Sequence, residues 1–134
     1  MSQALQELTD RQAIADLISG LGAWLDDKRF DDARSVLAED VTVESPGGTA
    51  QGIDGAVAQA RRSHEGYETQ HVITNVLVDL AGSRATARAN LTVTFASPET
   101  RFAMGERYRF EAVRTDAGWR LSRVEITPVW STRE

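Results

Sequence analysis

The sequence predicts an α+β fold in which three amino-terminal helices pack on one face of a strongly bent, mostly antiparallel sheet. Three observations carry this reading. Apolar residues recur at helical spacing in the first half of the chain, the pattern changes to period two in long runs from Gln70 onward, and short turn-forming segments separate those runs. With 134 residues, 41% of them hydrophobic, the chain suits a single domain spanning 1–134, without internal repeat or linker. A pocket between helices and sheet is then the natural place for a ligand.

The elements follow in order. Thr9 and Gln12 form a capping box, after which Ile14, Leu17, Ile18, Leu21 and Leu25 repeat at helical spacing. A short second helix is expected from Phe30 to Leu37, started by Asp31 or Asp32, and Asp40-Val41-Thr42-Val43 reads as a first strand. Ser45-Pro46-Gly47-Gly48 is turn chemistry, and a third helix from Ile53 to about His64 carries an Ile53, Val57, Ala60 stripe. The period-two runs cover 71–79, 84–95, 101–114 and 118–129, with turns at 81–83, 97–100 and 115–118.

Composition narrows the chemistry. A net charge of −5 argues against nucleic acid or an anionic membrane surface as partner, since either needs a basic face. No apolar run of eighteen residues and no charged-then-apolar leader is present, so neither a membrane span nor a signal peptide is expected, and the default location is cytoplasmic. The absence of cysteine removes disulfides, thiolate nucleophiles and Cys-ligated zinc, and two histidines argue against a multi-histidine metal site. No cofactor is expected. Catalysis would rest on carboxylates, histidine, tyrosine, arginine and water, which suits proton transfer.

His71 is the first candidate for that work. His71, Ile73, Asn75 and Leu77 share one face of their strand, and Val72, Thr74, Val76 and Val78 share the other. On the next strand Ala85, Ala87, Ala89, Leu91, Val93 and Phe95 must face the core. A two-residue turn at Ala81-Gly82 would force alanine to positive φ. A three-residue loop with only Gly82 left-handed avoids that, and pairs 79 with 83, 77 with 85, 73 with 89 and 71 with 91. His71 and Asn75 are then polar exceptions on an inward face beside small alanines; a one-residue slip would send both outside. The bland alternative leaves His71 at a strand end, bonded to a backbone carbonyl or water. Asp26 and Asp27, at the end of the first helix, are the nearby carboxylates in sequence order. They fall roughly 120° and 140° from the apolar stripe on opposite sides, and either one could be a cap or simply solvated.

The order and spacing of DRQAIADLISGLGAWLDDKRFDDARSVLAEDVTVE, GIDG, TQHVITNVLVDL and ERYRFEAVRTDAGWRLSRVEITPVW resemble the SnoaL-like, scytalone-dehydratase-like branch of the nuclear-transport-factor-two-like superfamily over nearly the whole chain. The resemblance implies a cone-shaped roll enclosing a pocket. It also implies that Asp26 orients His71, the pair acting as general base, because a carboxylate on one imidazole nitrogen fixes the tautomer and stabilises the imidazolium. This chain departs from the dehydratase at two places, with Leu25 where a tyrosine precedes the dyad aspartate and no second pocket histidine on the following strand. Matched from the terminal tryptophans, Tyr108 takes the position of a pocket asparagine.

Other candidates come from patterning. Phe102, Met104, Glu106, Tyr108, Phe110 and Ala112 share a face, so Glu106 is a carboxylate among apolar neighbours, unless a bulge near Gly105 or an arginine partner turns it outward. Asn75, Tyr108, Glu106, Trp24 and Phe102 are the expected substrate-binding residues. Trp24, Phe30, Trp119 and Trp130 read as core or pocket wall. His64 continues the third-helix stripe but also reads as a solvated helix end.

The leading expectation is a cofactor-independent, dehydratase-like lyase or isomerase that uses His71 and Asp26 on a small hydrophobic molecule. The alternatives are a non-catalytic ligand-binding or accessory domain, and a small subunit like those of ring-hydroxylating dioxygenases. The apolar Val72, Thr74, Val76, Val78 face suggests a homodimer through the outer sheet.

Overall fold

A computed structural model describes residues 2–133. Helix α1 runs Gln3–Asp26, a 3-10 helix Phe30–Ser35, β1 Leu37–Ser45, β2 Gly48–Gln51, α2 Gly52–His64, β3 Glu68–Ala81, β4 Arg84–Ala96, β5 Arg101–Thr115 and β6 Gly118–Ser131. The six strands form one curved, unclosed sheet in the order β2-β1-β6-β5-β4-β3. The β1–β6 pairing is parallel and the other four pairings are antiparallel. Helix α1 packs across β3 and α2 across β1, so the core and its pocket lie between the helices and the concave face, as the pattern predicts.

Helix α1 begins two turns before the Thr9 capping box. Ser2 is the N-cap, its hydroxyl accepting from the Leu5 amide at 3.1 Å, while Thr9 donates back to the Leu5 carbonyl inside the helix. The first two turns carry their leucines outward, with Leu5 and Leu8 exposed, so no inward stripe announces them. The second helix is shorter than expected. It ends at Ser35 as 3-10 turns with a non-helical Asp32, and Leu37 and Ala38 already belong to β1. Strand β2, in the stretch after Ser45-Pro46-Gly47, was not expected; it pairs Gly48–Gln51 back on β1.

The β3–β4 hairpin corrects the predicted register twice. Ala81 pairs with Arg84 around a two-residue Gly82-Ser83 turn, with Gly82 at φ 66°. That register turns Val78 and Leu80 inward and leaves Leu77 exposed. A bulge between Thr74 and Leu77, with Asn75 at φ 57°, then reverses the phase, so that Ile73 pairs with Leu91 and His71 with Val93. His71 therefore faces inward as expected, through two compensating shifts. Asn75 does not: it is exposed on the outer side, where its side-chain oxygen accepts from Asn90 at 3.5 Å. The outer apolar face shrinks accordingly, because Val76 and Val78 pack against the core, leaving Val72 outside with Leu77.

The core joins Ile14, Ile18 and Leu21 of α1 to Val41, Leu91, Val93, Phe110 and Leu121 of the sheet. Trp119 is buried as expected, and its indole N–H donates to the buried Asp10, which also accepts from Arg114 at 2.6 Å and so ties α1 to β5 and β6. Trp130 is neither core nor pocket wall. It is 47% exposed and lies over Gly105, where any Cβ would overlap the indole nitrogen. Among the described residues, no helix is long and apolar enough to cross a membrane.

Candidate active site

The end of α1 is held by backbone bonds rather than frayed. Lys28 adopts φ 54°; its amide donates to the Leu25 carbonyl at 3.1 Å, and the Arg29 amide donates to the Trp24 carbonyl at 3.0 Å, the crossed pair of a Schellman motif. The Lys28 ammonium donates to the Tyr67 carbonyl ahead of β3. Gly22 completes the docking. A Cβ there would lie 3.1 Å from Ile73 Cδ1 and 3.4 Å from His71 Cβ, so a bare helix backbone lets α1 approach β3 closely.

This docking delivers Asp26 to His71. The carboxylate accepts the His71 amide N–H at 2.9 Å on Oδ2, and the Thr69 hydroxyl at 2.8 Å and the His71 imidazole Nδ1–H at 2.5 Å on Oδ1. The imidazole side chain is 3% exposed. Burial is the largest influence on Asp26 and opposes its ionisation, but the three donors outweigh it and hold the carboxyl below its usual range. An ionised acceptor on Nδ1 fixes the tautomer that leaves a lone pair on Nε2. The Asp26/Asp27 ambiguity is resolved: Asp27 is exposed and lies 3.6 Å from Arg29.

His71 lines a cavity of about 490 Å³ between α1, α2 and the concave sheet face. Its walls are mostly apolar, including Leu21, Leu25, Val93, Phe95 and Ile126. Trp24 and Phe102 both line it, as expected. Trp24 is 2% exposed and its indole N–H has no partner among the described residues; Phe102 stacks on Phe95 with centroids 4.9 Å apart. Tyr108 lines it too, and burial, with the Glu106 charge second, raises its hydroxyl pKa. Glu106 also faces the cavity, with burial raising its carboxyl pKa. The expected irregularity at Gly105 exists, but the extra residue lies in β6, where Pro128 and Trp130 flank it opposite Glu106 and Gly105. Glu106 therefore keeps its inward side.

Three residues of the site lie outside the expected binding set: His64, weighed as a stripe member but also as a solvated helix end, and Tyr67 and Thr69, which the sequence reading did not single out. His64 is 8% exposed and lines the cavity, its ring stacked on His71 at 5.5 Å and 22°. Its Nδ1 bonds the Ala60 carbonyl at 2.9 Å, and burial lowers its pKa, which favours the neutral ring. The spacing Ile53, Val57, Ala60, His64 is the signal that places it inward. Tyr67 stands edge-on to Phe95 and Phe102. Thr69, two residues before His71 on the same strand face, needed the alternation to be followed one step back. Among the described residues, no cluster of three His, Cys, Asp or Glu side chains could hold a metal ion.

Comparison with known proteins places this architecture. The model of the SnoaL-like domain family matches residues 6–125. A candidate scytalone dehydratase from Novosphingobium aromaticivorans superposes with a TM-score of 0.89 at 18% identity, covering 98% of this chain and 92% of that one. A type 2 hexachlorocyclohexane dehydrochlorinase, LinA, gives 0.88 at 23% identity, with 97% and 92% coverage. An NTF2-like protein with a cystatin-like fold, also from N. aromaticivorans, gives 0.83 at 26% identity, with 94% and 86% coverage. No curated protein matches the sequence significantly.

Proposed function

The chain belongs to the SnoaL-like domain family, and from that premise and the geometry of its pocket we propose that it is a cofactor-independent lyase or isomerase. His71 Nε2 removes a proton from carbon of a small, largely apolar molecule bearing a carbonyl, hydroxyl or halide. Asp26 holds the imidazole and balances the imidazolium that forms. The observation that carries this reading is the 2.5 Å bond between Asp26 Oδ1 and His71 Nδ1 at the wall of a mostly apolar cavity. An ionised carboxylate locked by three donors has no geometric slack, which suits a group that must present one nitrogen to a substrate. Structural likeness to proteins described as a scytalone dehydratase and a dehydrochlorinase is consistent with elimination chemistry. The test uses 2-indanone, an enolisable carbonyl probe. Wild-type protein should accelerate exchange of its α-hydrogens in D2O, followed by proton NMR, and His71→Ala should abolish the acceleration while remaining folded. A rate unchanged by His71→Ala contradicts the assignment.

The alternative, a non-catalytic domain binding a small apolar ligand, draws on the aromatic lining of Trp24, Tyr67, Phe95 and Phe102. It predicts probe binding without any exchange.

A further inference from the structure

Among the described residues, Glu106 is the one carboxyl lining the cavity, and nothing in the Asp26–His71 pair uses it. It makes no ion pair with the two guanidiniums that also line the cavity, those of Arg62 and Arg133, among the described residues; Arg133 instead lies 4.6 Å over the Phe102 ring. The Tyr108 hydroxyl, next along the same strand face, likewise has no hydrogen bond to the described residues. Both groups open into the cavity from one strand face, so a single ligand can meet the carboxyl and the hydroxyl together.

Sheet register places them relative to His71. Glu106 pairs with Leu91, and Leu91 with Ile73, one inward step from His71. Two strand spacings and one inward repeat separate the His71 and Glu106 backbones by about 12 Å. His71 from β3 and Glu106 from β5 both line the one cavity across that span. Tyr108 pairs with Ala89, one inward repeat beyond Glu106.

We propose that Glu106 is the second proton-transfer group of this site, donating a proton to a substrate oxygen that the Tyr108 hydroxyl also binds, opposite the carbon from which His71 takes one. This rests on the general-base reading of His71. The step balances within the site. The C–H pair becomes the new C=C bond, the carbonyl π pair moves to oxygen, and oxygen takes the Glu106 proton; a neutral enol, a Glu106 carboxylate and a His71 imidazolium result. Where the substrate carries a β,γ double bond the enol is a dienol, and return of the imidazolium proton to its γ-carbon, with the enol proton returning to Glu106, gives the α,β-unsaturated isomer and restores both residues. The substrate therefore presents an oxygen, not a halide, to the Glu106 wall. Burial favours the proton-bearing form that this role requires.

The test needs no substrate. 4-Nitrophenol, titrated at pH 6 and read by the visible band of its phenolate, presents a flat ring with an enolate-like oxygen. Binding should induce that band. Tyr108→Phe and Glu106→Ala should each weaken binding by about tenfold, the loss of one charge-assisted donor. Glu106→Gln, which keeps an N–H donor, should stay within about threefold; circular dichroism checks that each variant is folded. Absence of binding by wild type, indifference to Glu106→Ala, or tighter phenolate binding by Glu106→Gln, the sign of a repelling carboxylate, would each overturn the proposal. The probe has no carbon acid for His71 to deprotonate. Failure of the His71 reading therefore leaves this series intact, and failure of Glu106 leaves the His71 dependence of 2-indanone exchange intact.

Discussion

Replacing Asp26 with asparagine isolates the contact on which the site depends. The carboxylate accepts three hydrogen bonds, two of them from His71. An amide offers one carbonyl oxygen and puts an NH2 in place of the other carboxylate oxygen. With the oxygen toward the imidazole and Thr69, the NH2 faces the His71 amide; reversed, it faces the imidazole N–H and the threonine hydroxyl. Either way a donor meets a donor. One or two bonds to a charged acceptor are lost, at about 1.5–3 kcal/mol each. Because the Asp26 side chain is 23% exposed, water recovers part of that, and the net cost is about 2 kcal/mol. For a chain of this length the unfolding midpoint should fall by about 7 °C. The pH dependence has a definite sign. Asp26 is held below the ordinary carboxylate range, so its contribution is full above the unfolded value of about 3.9 and is lost as pH falls through the folded value. Urea titrations of both proteins from pH 7 to pH 3 should show a gap that is constant near neutrality and begins to narrow as pH falls below about 4. Equal stability at pH 7, or a gap that does not narrow in acid, would refute the ionised three-donor arrangement. The substitution should also reduce 2-indanone exchange by about 10²–10⁴-fold, the usual worth of a correctly held general base.

Two further predictions follow from packing and burial. Gly22→Val places methyl groups where a Cβ alone would sit 3.1 Å from Ile73 Cδ1; overpacking should cost about 1–3 kcal/mol, and the far-downfield proton NMR signal of His71 Nδ1–H should weaken as α1 is levered from β3. Glu106→Gln should have a pH-dependent effect on stability, because burial raises the wild-type carboxyl pKa: wild type loses stability as pH rises from the ordinary glutamate value of about 4.3 through the raised one. Chemical denaturation should therefore find the variant equal to wild type at pH 4 and more stable at pH 8, and the reverse order would remove the buried-carboxyl assignment.

The layers of the fold were legible because helices and sheet differ in period, and because alternation in β4 and β5 is nearly unbroken, from Ala85 to Phe95 and from Phe102 to Ala112. Features that depend on a single backbone torsion were not. The left-handed Asn75 changes the strand phase by one residue, and the Gly82-Ser83 turn changes it again, so the inward setting of His71 was reached through a register that the structure replaces. Asn75 itself was lost to the site by the same bulge. The first two turns of α1 hid because their leucines face water, and the choice between Asp26 and Asp27 needed the Schellman geometry of Lys28 and Arg29, which no residue preference announces. His64 was visible as a fourth member of a helical stripe. Its end-of-helix position concealed it, since histidines there are ordinarily solvated, whereas this one is sealed against His71 and Phe95.

The most direct measurement is the rate of α-hydrogen exchange of 2-indanone in D2O, compared between wild type and a folded His71→Ala variant. The account predicts acceleration by the wild type and none by the variant. Equal rates in the two proteins, whether both accelerate exchange or neither does, would contradict His71 as the base of this site.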